Sequence, residues 1–187
     1  MQSKKRVIAI SGMPGAGKGI AAEAARQLGF QVLVLGDIIR EETERRGLQP
    51  TPQNMGSVML QVRNAEGPAV VAKRLLPKIQ SSGHSRVVVE GIRSLHELAE
   101  LRSEFEVHSV AIHASPKTRF QRLLSRGRSD DPKNWEEFCE RDNRELDVGL
   151  GHVISLSDTL LVNEGTIADL QSEFRNRLAK LETQWTY

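Results

Sequence analysis

A chain of 187 residues, 39% hydrophobic and 27% charged, is long enough for one sizeable core and has the balance of a folded domain rather than a disordered one. Its 26 basic and 24 acidic residues leave a net charge of +2. That is too even for a general nucleic-acid or membrane partner, so any cationic function must be local. The one cysteine, Cys139, excludes an internal disulfide, and no Cys and His cluster has zinc spacing; a reducing cytoplasm is the simplest setting.

Lys4, Lys5 and Arg6 precede an apolar run that ends at Ile10, far too short for the core of a secretory signal. No apolar stretch approaches transmembrane length, so a soluble protein is expected. The elements then alternate. Residues 7–10 read as a buried strand, and Ile20, Ala24 and Leu28 recur beyond a glycine turn at helical spacing. A second strand covers 32–35, after which Asp37 can cap a helix. Thr51-Pro52 opens a helix over 52–65 and Gly67-Pro68 another to about 79. Residues 87–89 form a third strand, with Ser94 capping the next helix. Residues 107–112 form a fourth, followed by a helix over 116–126, and 159–162 the last. The terminal helix carries Ile167, Leu170, Phe174, Leu178 and Leu181 on one stripe. Continuous apolar strands separated by helices mean a parallel sheet covered on both faces.

The strongest signal is Gly12-Met13-Pro14-Gly15-Ala16-Gly17-Lys18-Gly19. It has GxxxxGK spacing, follows a strand and opens a helix, as a phosphate-binding P-loop requires. Its glycines turn backbone N–H groups onto phosphate oxygens, the helix N-terminus adds partial positive charge, and Lys18 reaches the β- and γ-phosphates. The Ser or Thr that usually ligates Mg²⁺ is Gly19, followed by Ile20, so the metal must lean on phosphates, water and a carboxylate.

Further charged positions sit past the strand ends, where parallel sheets place ligands. Asp37 and Arg40 follow strand two, and Glu90 and Arg93 follow strand three. Glu90 is placed to hold Mg²⁺ through water, with Asp37 as a second carboxylate. Arg40 and Arg93 suit bidentate clamps on an acceptor phosphate. After strand four come Arg119, Arg122, Arg126, Arg128, Asp130 and Asp131. The polar segment 125–134 reads as a short lid, and Arg141 and Arg144 lie on the next helix. Arg119 and Arg144 are expected to pair with Glu136, Glu137 or Glu140. Phosphoryl transfer needs in-line positioning and cations over a charge-rich transition state, which these residues can supply. Trp135, Phe138, Cys139 and Leu146 fit one core stripe, Arg63 reads as solvated, and His84 and His96 as exposed.

These motifs resemble those of the nucleoside monophosphate kinases, adenylate kinase in particular. The family's GxPGxGKG loop matches residues 12–19. Its GDMLR segment resembles Gly36-Asp37-Ile38-Ile39-Arg40, and its DGFPR segment Glu90-Gly91-Ile92-Arg93. Its lid arginines and R-x-D-D are similar to Arg122, Arg126 and Arg128-Ser129-Asp130-Asp131. Asn163-Glu164-Gly165 resembles the loop that packs on the ATP base. The chain looks closest to archaeal P-loop proteins described as adenylate-kinase-related or dephospho-CoA-kinase-like. It departs from adenylate kinases at Leu35, where they place threonine, and at Glu97, in the place of the glutamine that reads adenine.

The expectation is therefore a single P-loop kinase domain over 1–187, with a three-layer α/β/α fold and about five parallel strands. It includes a helical acceptor-binding insertion over 37–81. The expected activity is ATP-dependent transfer of the γ-phosphoryl group, with Mg²⁺, to a small phosphate-bearing acceptor. The resemblance implies a nucleoside monophosphate; dephospho-CoA kinase and a regulatory ATPase with little turnover are the rivals. Lys18, Arg122 and Arg128 are expected to be catalytic. Gly12, Gly15, Ala16, Gly17, Lys18, Gly19, Ile20, Arg122, Asn163 and Gly165 are expected to bind ATP. Asp37, Arg40, Arg93, Arg126 and Arg141 are expected on the acceptor, with Glu90 and Asp37 on the metal.

Overall fold

The computed structural model describes residues 5–128 and 131–185. Ser129 and Asp130 of the R-x-D-D segment lie outside the described residues. The central strand is β1 (Arg6–Ser11), whose Val7, Ile8, Ala9 and Ile10 are almost wholly buried. Around it lie β2 (Gln31–Val34), β3 (Arg86–Ile92), β4 (Glu106–His113) and β5 (Thr159–Val162), in the order β2-β3-β1-β4-β5. Every pairing is parallel, which explains why the inner strands are apolar without alternation: both faces are covered.

The side chains of β1 divide the core. Val7 and Ala9 join a cluster with residues of α2 (Leu35–Arg45), α3 (Pro52–Glu66), α4 (Val70–Gln80) and α5 (Leu95–Glu104). Ile8 and Ile10 join one with α1 (Lys18–Gln27) and α9 (Ile167–Gln184), where Phe174 is fully buried. Above the C-terminal ends of the strands run α6 (Pro116–Arg126) and α7 (Trp135–Asp147), followed by α8 (Leu150–Ser155), a short helix that the sequence pattern did not suggest. Among the described residues, no helix is long and apolar enough to cross a membrane.

Several expectations need correction. Helix α2 begins at Leu35 with Val34 as its N-cap, so Asp37 lies inside the first turn and caps nothing. Glu90 sits within β3, not beyond it. Trp135 and Leu146 are about half exposed, and only Phe138 of that stripe is fully buried; Cys139 is half-buried. Trp135 instead lies flat on Phe138, ring centroids 5.0 Å apart, with Phe120 edge-on. Ile167 is exposed, so the stripe of α9 starts at Leu170.

The helices of 35–80 pack directly onto the sheet face and carry their own ionic knot. Glu42, 5% exposed, accepts hydrogen bonds from Arg45, Arg46 and Arg74. Hydrogen bonds from Arg45 and then Arg46 hold its carboxyl at about 2, well below the ordinary 4.5. A carboxylate whose folded pKa is depressed stabilises the fold above its unfolded pKa and loses that contribution as pH falls toward the folded one. Glu42→Gln should therefore cost about 1–2 kcal/mol at pH 7. The gap from wild type should close as pH falls from about 4.5 to about 2, read by urea denaturation at a series of pH values. A gap that is constant with pH would mean the carboxylate charge is not what the three arginines stabilise.

Candidate phosphate-transfer site

The glycine loop leaves the end of β1 in conformations that L side chains rarely adopt: Gly12, Gly15 and Gly17 have φ of 148°, 80° and 109°. All three positions also lack space, a Cβ on Gly15 standing 2.8 Å from the Arg119 carbonyl oxygen. A Cβ on Gly12 would stand 2.4 Å from the carbonyl oxygen of Ile112 in β4, and one on Gly17 2.5 Å from Asn163 Nδ2. The crowding at Gly17 has a purpose, since Asn163 Nδ2 donates to the Ala16 carbonyl at 2.8 Å and ties the loop to the end of β5. Gly19 differs. It is exposed with ordinary φ, and an added Cβ there would meet nothing within 4 Å. Ile20 is half-buried against the α1–α9 core.

Lys18 is the first residue of α1, and its ammonium donates to the carbonyls of Gly12 at 2.7 Å and Met13 at 3.3 Å. Burial lowers its pKa from 10.5 to about 8; the Glu90 and Glu145 charges oppose that fall, and those of Arg93 and Arg141 add to it. Burial in turn raises the carboxyl pKa of Glu90, Lys18 opposes the rise, and Asp37 adds to it. The two carboxylates are thus close enough to repel.

Among the described residues no three acidic, His or Cys side chains gather to hold a metal unaided. Mg²⁺ is commonly held by one or two carboxylates together with substrate phosphates and water. Glu90, whose charge is felt at Lys18, and Asp37, whose charge is felt at Glu90, fit that need.

The arginines diverge. Arg122 NH1 donates to the Asn163 carbonyl at 3.0 Å and its NH2 to the Gly165 carbonyl at 3.2 Å, so it braces the loop beyond β5. Arg126 makes a bidentate pair with Asp131, and Arg141 reaches the same carboxylate at 3.4 Å. Arg128 is exposed; its backbone N–H donates to Asp131 at 3.0 Å and its charge is felt at Glu90. Arg40 is exposed and makes no ion pair among the described residues. Arg93 NH1 meets Glu145 of α7 at 3.1 Å.

Three residues differ from expectation. Arg119 is 3% exposed and ignores the glutamates of α7. Its guanidinium pairs with Asp142 at 2.5 Å, donates to the carbonyls of Pro14 and Ala114, and lies over the Phe138 ring. Arg63 is not solvated, for it meets Glu97 at 2.6 Å. Glu97 also accepts from the Arg93 backbone N–H at 2.8 Å and is 1% exposed, so the place of the adenine-reading glutamine is occupied internally. Arg144, expected to pair with a nearby glutamate, lines a cleft of about 690 Å³ between the α2–α3 connection and α7, together with Gln53, Lys133, Glu140 and Arg141.

On helix α7 the sequence pointed to Arg141 but did not disclose Asp142 and Glu145. Arg141, Asp142 and Glu145 share one side of it at i, i+1 and i+4 spacing. They meet, respectively, the connection between α6 and α7 through Asp131, the glycine loop through Arg119, and the end of β3 through Arg93. The spacing was the available signal, but a charged helix face more often points to water.

A family model described as an AAA domain matches residues 11–139. A UPF0200 protein of Hyperthermus butylicus is 46% identical over 178 residues, covering 95% of this chain and 96% of that one. Among solved structures, TT1252 from Thermus thermophilus superposes with a TM-score of 0.66 at 20% identity, covering 96% of this chain and 99% of that one. Shikimate kinase from Acinetobacter baumannii gives 0.59 at 14%, covering 96% and 94%. The chain belongs to the UPF0200 family and is built on the P-loop kinase fold.

Proposed function

We propose that this protein transfers the γ-phosphoryl group of ATP, with Mg²⁺, to a small phosphate-bearing acceptor. The observation that carries it is the Lys18 ammonium, buried in a glycine loop at the mouth of a parallel sheet, with its pKa depressed toward neutrality by burial. A polyphosphate supplies the missing counter-charge, and the helix N-terminus and loop N–H groups supply the donors. In this assignment Lys18 spans the β- and γ-phosphates, Glu90 and Asp37 hold the metal, and Arg122 and Arg128 face the donor. Asn163 and Gly165 border the base. Arg40, Arg93, Arg126 and Arg141 meet the acceptor. The finer assignment, from the resemblance, is a nucleoside monophosphate seated on Arg40 and Arg93. The locked Glu97 favours a second reading, an acceptor whose base is not read at that place, as in a dephospho-CoA-type kinase.

Lys18→Met tests the donor half in two ways. Phosphoryl transfer should fall by several orders of magnitude, because the oriented cation on the transferring group is lost. The nucleotide-free variant should also be more stable than wild type. The depression from 10.5 to about 8 corresponds to about 3 kcal/mol, reduced to about 1–3 because part of the side chain reaches solvent. That is a rise in Tm of roughly 3–8 °C. For this lysine the unfolded chain binds more protons between pH 8 and 10.5, so wild-type stability rises with pH across that window. The advantage of Lys18→Met should shrink across it, measured by thermal melts from pH 7 to 10. Near-normal turnover in the variant would remove Lys18 from the mechanism.

The metal half turns on Gly19. With no hydroxyl there, Mg²⁺ depends on Glu90, and Glu90→Gln should raise the Mg²⁺ concentration for half-maximal rate about 10- to 100-fold. Nucleotide binding without metal should be unchanged. Gly19→Ser fits the open space at that position and should recover part of the loss in the double variant. Superimposable Mg²⁺ titrations for wild type and Glu90→Gln would assign the metal to Asp37 instead.

A further inference from the structure

Glu145 belongs to no motif, yet its position can be triangulated. One helical turn away on α7, Asp142 is joined through the Arg119 guanidinium to the Pro14 carbonyl of the glycine loop. Glu145 itself is joined through its Oε1 to Arg93, just beyond the end of β3 and three residues after Glu90. The carboxylate therefore stands between the phosphate cradle and the acceptor arginine, and its charge is among those felt at the buried Lys18 ammonium. Its second oxygen, Oε2, is enclosed and has no hydrogen-bond partner. Leaving a buried acceptor unsatisfied is costly, and such an atom beside a ligand site calls for a donor. Arg93 meets the other oxygen, Oε1, while Arg141 pairs with Asp131 and Lys18 donates to the loop carbonyls.

The cleft on the neighbouring face of α7 shares Arg141 with these groups, though Glu145 and Arg93 do not line it; its walls are amides and charges, with Pro50 and Pro132 as apolar members and no aromatic ring on which a base could stack. Glu97 is engaged by Arg63 and the Arg93 N–H. The surroundings suit a polar, anionic, hydroxyl-bearing molecule.

We propose that Glu145 accepts the proton of an acceptor hydroxyl, so that the phosphoryl group is transferred to an alcohol oxygen of an anionic, hydroxyl-bearing molecule. The anion takes Arg93, which opens the Arg93–Glu145 pair and turns the carboxylate toward the neighbouring hydroxyl. The hydroxyl oxygen bonds to the γ-phosphorus, and the bond from that phosphorus to the β–γ bridging oxygen breaks. Its electron pair leaves with ADP, while the hydroxyl proton passes to the carboxylate and then to solvent. This assignment rests on the phosphotransfer function above.

The test is the bond type of the product. The full chain is incubated with ATP and Mg²⁺ and, separately, dephospho-CoA, shikimate, AMP, CMP, GMP and UMP, and the product is read by ³¹P NMR. A phosphomonoester on an alcohol oxygen is the expected result. A diphosphate formed with any nucleotide as the main product would overturn the role of Glu145 and leave the kinase function standing. No phosphorylated product with any of the six would remove both. With the acceptor that reacts, Glu145→Gln should lower kcat about 100-fold or more at saturating acceptor, with the ATP Kd unchanged, and Glu145→Asp should retain part of the rate. A rise in acceptor KM with kcat intact would reduce Glu145 to a holder of Arg93.

Discussion

The site is organised around one awkward fact: an ammonium is drawn largely out of water into a loop of neutral carbonyls. Lys18 begins α1 at the end of the most buried strand, and the loop that enfolds it offers only neutral carbonyls. Moving a charge out of water is expensive unless it is paired, and the depressed pKa of Lys18 expresses that cost. Glu90, the partner whose field most relieves it, is itself destabilised as an anion by burial and by Asp37. Two charges are thus held in mutual dependence without saturating one another. Under the proposed function a polyphosphate with its metal would complete both, phosphate oxygens meeting the ammonium and the cation the carboxylates. Binding energy is stored as unmet electrostatic demand rather than as shape alone.

What could be read from the sequence follows from the range of the forces involved. The glycine loop was legible because its constraint is local: φ above zero at Gly15 and Gly17, a strand before and a helix after. The strands were legible because burial on both faces leaves a run of β-branched residues such as Val87, Val88 and Val89. The start of α2 was not, because Leu35 follows a β-branched run and looks like strand, while tertiary packing places it in the first helical turn. Partners across space were the least legible. Nothing local says that Arg119 meets Asp142, 23 residues away, or that Arg63 meets Glu97, 34 away. On a helical wheel all four look like ordinary solvated charges, and only the closing of the fold buries them.

Helix α7 shows how such pairs become architecture. The Arg119–Asp142 pair is dry and carries additional hydrogen bonds to the carbonyls of Pro14 and Ala114, the condition under which a buried pair holds its place. Removing either partner would strand a charge in the interior. The pair therefore fixes the distance between the glycine loop and α7, and with it the positions of the adjacent Arg141 and of Glu145 one turn on.

Exposure separates the pairs that hold the fold from those that can exchange partners. Arg119 and Arg63 have side chains 4% and 13% exposed, with carboxylate partners at 15% and 1%; water cannot easily replace either member. Arg93 and Arg126 are 41% and 35% exposed while their carboxylates are 13% and 3%. In these two the guanidinium faces solvent and the acid lies behind it. A solvated guanidinium loses little on leaving one anion for another, so an incoming phosphate can take either arginine at small net cost. What the exchange leaves behind is a buried carboxylate without its partner, and that residual demand falls at Asp131 ahead of α7 and at Glu145 on it. Asp131 retains the Arg128 backbone N–H and Arg141. Glu145, with its second oxygen already unpartnered, has no such reserve, and under the proposed transfer it would be the carboxylate on which acceptor binding acts most strongly.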